Sequence, residues 1–171
     1  MAISPVKKVS SLKYILFLYL LHFSFIFLTF IFLRYITVSL VFLFVYGMLL
    51  FSGGLWLTKK KKRPVVFALF SGILSQLPAI ILSLLILTGI LTGTYDSSTI
   101  FETFDFLLQV WHTTLAPLFP FLPSLKWLGT PVYYWVTIAF SFIYPLILVL
   151  GVVSGLFLKI NASFSLDKVI H

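Results

Sequence analysis

The chain has 171 residues, 61% of them hydrophobic and only 9% charged, with twelve Lys and Arg against four Asp and Glu. A mean hydropathy of +1.15 excludes a water-soluble globular domain, which runs roughly 45–50% apolar and about 25% charged. Cysteine is absent, which excludes disulfides, thiolate nucleophiles and cysteine metal ligands.

The formal charge of +8 does not point to nucleic acid, because the cations sit beside apolar runs rather than on a polar domain. Membrane orientation accounts for them. The bias toward Phe, Leu, Ile and Lys resembles that of an AT-rich bacterial genome.

Residues 1–13 form a short polar lead carrying Pro5, Lys7, Lys8 and Lys13, and 14–33 then runs without a charge. Twenty helical residues rise about 30 Å, the thickness of one hydrocarbon core. A signal peptide has a shorter apolar region and a small-residue cleavage site, so the run reads as a retained helix. Arg34 interrupts, and 35–57 is apolar again. As one helix, 14–57 would be about 66 Å long, twice the core. The chain therefore turns near residues 34–39, although no Gly or Pro marks the place. Arg34 belongs at an interface, because a charge at mid-bilayer costs at least ~2.5 kcal/mol.

Lys59, Lys60, Lys61, Lys62 and Arg63 close the second helix, and Pro64 opens the third as a first-turn proline. The apolar run 65–91 is long enough to need tilt or a kink, and Pro78 supplies one. A fourth span covers 132–158 with Pro145 near its centre, closed by Lys159 and a short polar tail at 161–171. The expected fold is therefore a single all-α integral membrane domain over residues 1–171, with four transmembrane helices. With an inward N-terminus, the cytoplasmic side holds Lys7, Lys8, Lys13, Lys59 to Lys62, Arg63, Lys159 and Lys168. The other side holds Arg34 and Lys126. This asymmetry predicts a plasma-membrane protein with both termini cytoplasmic.

The segment 93–131 is too polar and too broken to span, and it holds three of the four carboxylates. After a turn cluster at Asp96 to Ser98, Thr99 and Glu102 have the spacing of a capping box. Ile100, Phe104, Leu107, Leu108, Trp111 and Leu115 recur at helical spacing, which predicts a helix to about residue 115. Glu102, Asp105, Gln109 and His112 fall on one narrow stripe of it. Such a helix lies in the outer interface or docks against the spans, with its stripe facing water or a cavity. The stripe could bind a cation, shuttle protons or hold a polar headgroup. The plainer reading is the wet side of an interfacial helix. It matches no metal-ligand motif, and no cofactor is expected. Pro117, Pro120 and Pro123 then predict an extended apolar strap. Lys126, Trp127, Tyr133, Tyr134 and Trp135 read as interfacial anchors.

Three polar residues fall near the middle of spans: His22, Gln76 and Tyr144. Polar groups at this depth face a protein interior, and ionisable ones are functional candidates by default. The plainer reading of His22 is a neutral imidazole bonded to a neighbouring helix. The pairs Ala68 and Gly72, Gly89 and Gly93, and Gly151 and Gly155 are small residues one turn apart, which let helix backbones approach closely. Their expected use is packing the spans together. The run Lys59–Arg63 is expected to attract anionic lipid headgroups as well as to fix topology.

No Gly-x-Ser-x-Gly, His-Glu-x-x-His or phosphate-cradling glycine loop is present. The first functional reading is a non-enzymatic accessory, assembly or immunity-type subunit that binds another membrane component. An alternative is a small transporter or permease component with a polar path through His22, Gln76 and Tyr144. A second alternative is a lipid-modifying enzyme using Asp105 and His112, which one helix holds about 10 Å apart along its axis.

Overall fold

The computed structural model of the chain describes residues 11–93, 99–127 and 129–167. Lys7, Lys8, Lys168, the turn at Asp96 and the capping role of the Thr99 side chain lie outside the described residues. The described chain is almost entirely helical. α1 covers Ser11–Phe32, α2 Ile36–Lys60, α3 Pro64–Ser75, α4 Leu77–Thr92, α5 Thr99–Trp111 and α6 Val132–Asp167. A 3-10 helix at Thr113–Phe121 follows α5, and the two-residue strands Lys126–Trp127 and Thr130–Pro131 form a small antiparallel hairpin before α6. Three helices are long and apolar enough to cross a membrane, and a fourth crossing exists if α3 and α4 count as one bent span.

The uncharged runs form helices because a helix satisfies their backbone groups within the segment. Their Ser24, Ser71 and Thr88 hydroxyls donate back to carbonyls of the same helix. The helix ends are set by identifiable groups. α1 stops at Phe32, where the Ser39 hydroxyl from α2 donates to the Phe32 carbonyl at 2.8 Å. The Tyr35 amide donates to the same carbonyl at 2.7 Å. Two donors on one terminal carbonyl do the work that a Gly or Pro does elsewhere, so the turn is confined to Leu33–Tyr35. Lys59 and Lys60 end α2, where cations meet the negative end of the helix dipole. Pro64 sits in the first turn of α3, as expected.

The largest departure in the spans is at Pro78. The break falls at Gln76 and the two halves diverge by 65°, far more than a simple kink. The polar tail is also corrected: α6 runs on to Asp167 as helix.

Side-chain contacts give the relative directions. Tyr14 stacks with Trp56 and His22 meets Tyr46, so α1 and α2 are antiparallel. Tyr46 meets Tyr144 and Gly54 meets Gly151, so α2 and α6 run parallel. Lys13, Lys59 to Arg63 and Lys159 thereby gather at one end of the bundle, with Arg34 and Lys126 at the other.

α2 and α6 touch backbone to backbone. A Cβ at Gly54 would lie 2.2 Å from the Leu148 carbonyl oxygen, and one at Gly151 would lie 2.1 Å from that of Phe51. A Cβ at Gly155 would lie 2.7 Å from the Thr58 side chain of α2, and one at Gly72 of α3 would lie 3.0 Å from the Pro145 Cα of α6. Ala68 and Gly89 are buried in α3 and α4. Gly93 differs from the expectation of helix packing. It caps α4 in the left-handed conformation at φ 70°, with nothing within 4 Å of its Cβ position.

The segment after α4 turns back into the bundle. Asp105 faces Tyr134 near the start of α6, His112 faces Ser141, and Thr114 faces Tyr144. α5 thus descends alongside α6 to the depth of His22, and the 3-10 helix returns toward the Lys126 end. Leu108 is fully buried with Ala79, Ile86 and Ile138, and Leu115 is fully buried with Tyr46, Tyr144 and Leu148. In this hairpin α5 packs against α4, and the 3-10 helix packs against α1 and α2.

The strap is corrected accordingly. Pro117 and Pro120 lie inside a 3-10 helix rather than an extended segment. The fixed proline φ near −65° suits that helix, and each missing N–H removes only one short-range bond.

Candidate functional site

The hairpin brings polar side chains from α1, α2, α4, α5, α6 and the α3–α4 break to one place in the middle of the bundle. His22 of α1 is wholly buried. Its Nε2 lies 3.2 Å from the Trp111 carbonyl oxygen, and its Nδ1 lies 2.8 Å from the Tyr46 hydroxyl. A carbonyl only accepts, so Nε2 carries the proton and Nδ1 accepts from the Tyr46 O–H. The Trp111 indole Nε1 in turn donates to the Gln76 Oε1 at 2.9 Å. One tryptophan therefore ties the tip of α5 to α1 through its backbone and to the α3–α4 break through its ring.

The other half of the cluster is built on α6. The His112 Nε2 lies 2.8 Å from the Ser141 Oγ, which is 2.9 Å from the Ser83 Oγ of α4. The Thr114 and Tyr144 hydroxyls are 2.8 Å apart. The Tyr144 ring stands between the two halves, with centroids 6.0 Å from His22, 5.9 Å from His112 and 5.2 Å from Tyr46. His22, Gln76 and Tyr144, singled out from depth in the sequence, thus belong to one buried network.

The four-residue stripe does not act as a unit, and it does not face water as a whole. Glu102 is exposed. The Asp105 Oδ2 accepts from the Gln109 Nε2 at 3.0 Å and from the Tyr134 hydroxyl, making a half-buried cluster near the Lys126 end. His112 is fully buried two turns deeper. The Asp105 Oδ1 and the His112 Nδ1 are buried with no hydrogen-bond partner among the described residues. The cause is a rotation of the helix: its polar side lies against α6, and its apolar residues Phe106, Leu107 and Val110 are turned outward.

The site also contains Tyr46, Trp111, Thr114, Ser83 and Ser141, which the sequence alone does not single out. Tyr46 carries a signal, being a phenol in the middle of an otherwise apolar span, where its hydroxyl needs a partner. Trp111 reads there as one more member of the apolar side of α5.

A serine hydroxyl on an imidazole nitrogen is the first part of a nucleophile–base couple. At Ser141 and His112, however, both side chains are fully buried, and no described group orients the His112 Nδ1. Compared with known proteins, the chain matches no family model, no curated protein and no solved structure.

Proposed function

We propose that the protein is a non-catalytic subunit of the plasma membrane, of the accessory, assembly or immunity type, which binds another membrane component. In this reading it crosses the bilayer four times with both termini cytoplasmic, consistent with the cations gathered at one end of the bundle. The observation that carries it is the use made of the intramembrane polar groups. His22, Tyr46, Gln76, Trp111, Thr114 and Tyr144 bond to one another and pin the re-entrant hairpin. They act as internal glue between helices rather than as the lining of an open path. What remains for recognition is the apolar flank of the bundle and its two ends. The test is extraction of the tagged protein into a native membrane mimic and mass spectrometry of what co-purifies. A stoichiometric protein partner is the expected result, and a chain that purifies alone with a tightly held solute overturns the reading.

A second reading, a small transporter component, is favoured by one specific set of features. The helix break at Gln76, the tip of the re-entrant hairpin and the unpartnered His112 Nδ1 share one depth, as substrate sites in transporters do. It requires water at His22. The natural chain has no cysteine, so His22→Cys gives a single thiol, and its reaction with a soluble maleimide would move the assignment to this reading.

A further inference from the structure

The run Lys59–Arg63 does not act as one uniform patch. Lys59 and Lys60 complete α2, whereas Lys61, Lys62 and Arg63 line a groove of about 370 Å³ together with Val66, Phe67 and Phe70. The groove has a cationic mouth and an apolar wall. The Lys61 Nζ lies 3.8 Å from the Phe67 ring centroid, so this cation is held over the aromatic wall rather than extended away from it. Val66 and Phe70 are 64% and 57% exposed, so the wall continues along the flank of α3 that faces lipid.

The backbone adds to the same mouth. Arg63 is the N-cap of α3 and no side chain caps that end. Pro64 has no N–H, and the first-turn amides of Val65 and Val66 have no partner within the helix. With the positive end of the helix dipole, they favour an anion beside the Lys62 and Arg63 side chains.

We propose that this groove is a site for one anionic phospholipid. Its phosphate sits among Lys61, Lys62, Arg63 and the first turn of α3, and one acyl chain lies along Val66, Phe67 and Phe70. Charge complementarity selects an anionic headgroup over a zwitterionic one. The apolar wall favours a lipid over a free anion, because a lipid engages the cationic mouth and Val66, Phe67 and Phe70 with one molecule, whereas a soluble phosphate engages the mouth alone. The inference requires only that the protein is embedded in lipid, and it stands whichever membrane component proves to be the partner.

The test is native mass spectrometry of the full-length protein in detergent, with added phosphatidylglycerol or phosphatidylcholine of identical chains. One phosphatidylglycerol should be retained at least about tenfold more tightly than phosphatidylcholine. Val66→Trp fills the groove and keeps every charge, and it should weaken phosphatidylglycerol about tenfold, as should Lys62→Gln with Arg63→Gln. Phe70→Trp is a second charge-preserving filler with the same expectation. Far-ultraviolet circular dichroism and the thermal midpoint identify any variant that misfolds, and the other filler then decides. Equal retention of the two lipids would overturn the proposal. So would unchanged phosphatidylglycerol binding in the folded fillers, or its displacement by millimolar inorganic phosphate.

Discussion

The Tyr19 hydroxyl donates to the Leu74 carbonyl oxygen at 2.7 Å, four residues before Pro78. In an unbroken helix that carbonyl would accept from residue 78, and proline has no N–H to offer. α1 therefore supplies from its side the donor that α4 cannot supply along its axis. The bond satisfies a carbonyl that the helix break leaves without its own donor, as apolar surroundings require.

Tyr19→Phe should lower stability by about 1 kcal/mol, the usual worth of such a bond. On a Pro78→Ala background, where residue 78 regains an N–H, the same change should have a smaller effect. Thermal unfolding in detergent of the two single variants and the double variant measures the coupling. Strict additivity would show that Tyr19 does not serve the break.

The α2–α6 contact makes a sharp contrast among glycines. Gly54→Ala and Gly151→Ala each drive a methyl group into a carbonyl oxygen of the facing helix, and each should destabilise by about 3 kcal/mol or more. Gly47 has nothing within 4 Å of its Cβ position, so Gly47→Ala should be neutral, or stabilising by up to about 1 kcal/mol through helix propensity. Thermal midpoints of the three variants settle the ranking.

If α3 and α4 together make one crossing, Lys62 and Glu102 face opposite sides of the membrane. In sealed right-side-out vesicles, Glu102→Cys should react with an impermeant maleimide, and Lys62→Cys should react only after permeabilisation. Reaction of both from one side would reduce the bundle to three crossings.

Trp111→Phe keeps the ring packing and removes the donor to Gln76. It should cost about 1–3 kcal/mol and loosen the hairpin locally. Hydrogen exchange followed by mass spectrometry should show faster exchange over residues 105–121, with α2 and α6 unchanged. Uniform acceleration across the chain would mean that Trp111 supports the whole bundle instead.

The spans were legible because an uncharged run of twenty residues has few structural options. The runs 14–33 and 35–57 lie within three residues of α1 and α2 at each end. The position of the first turn was legible and its cause was not, because Ser39 caps α1 from a neighbouring helix. In α5, the three- and four-residue spacing showed that Asp105, Gln109 and His112 share a side. It could not show what that side meets, since Tyr134 and Ser141 lie far along the chain. The strap misled for a geometric reason: an extended polyproline helix and a 3-10 helix both have three residues per turn, so prolines three apart fit either. The network at mid-depth was visible only in part, as His22, Gln76 and Tyr144. His112 was visible too, but as part of the α5 stripe, and the other members are hydroxyls and an indole that sequence alone does not distinguish from ordinary span residues.

The re-entrant hairpin also imposes an order on biogenesis. Residues 99–121 leave the ribosome before α6, yet Tyr134, Ser141 and Tyr144, on which they close, all belong to α6. During synthesis Asp105 keeps its bond from Gln109 within α5, but it lacks Tyr134 and His112 lacks Ser141 until the last helix has been made. The hairpin then seats between α6 and the earlier helices. A chain interrupted before α6 would leave the segment 99–121 without the side chains that close over Asp105, His112 and Thr114.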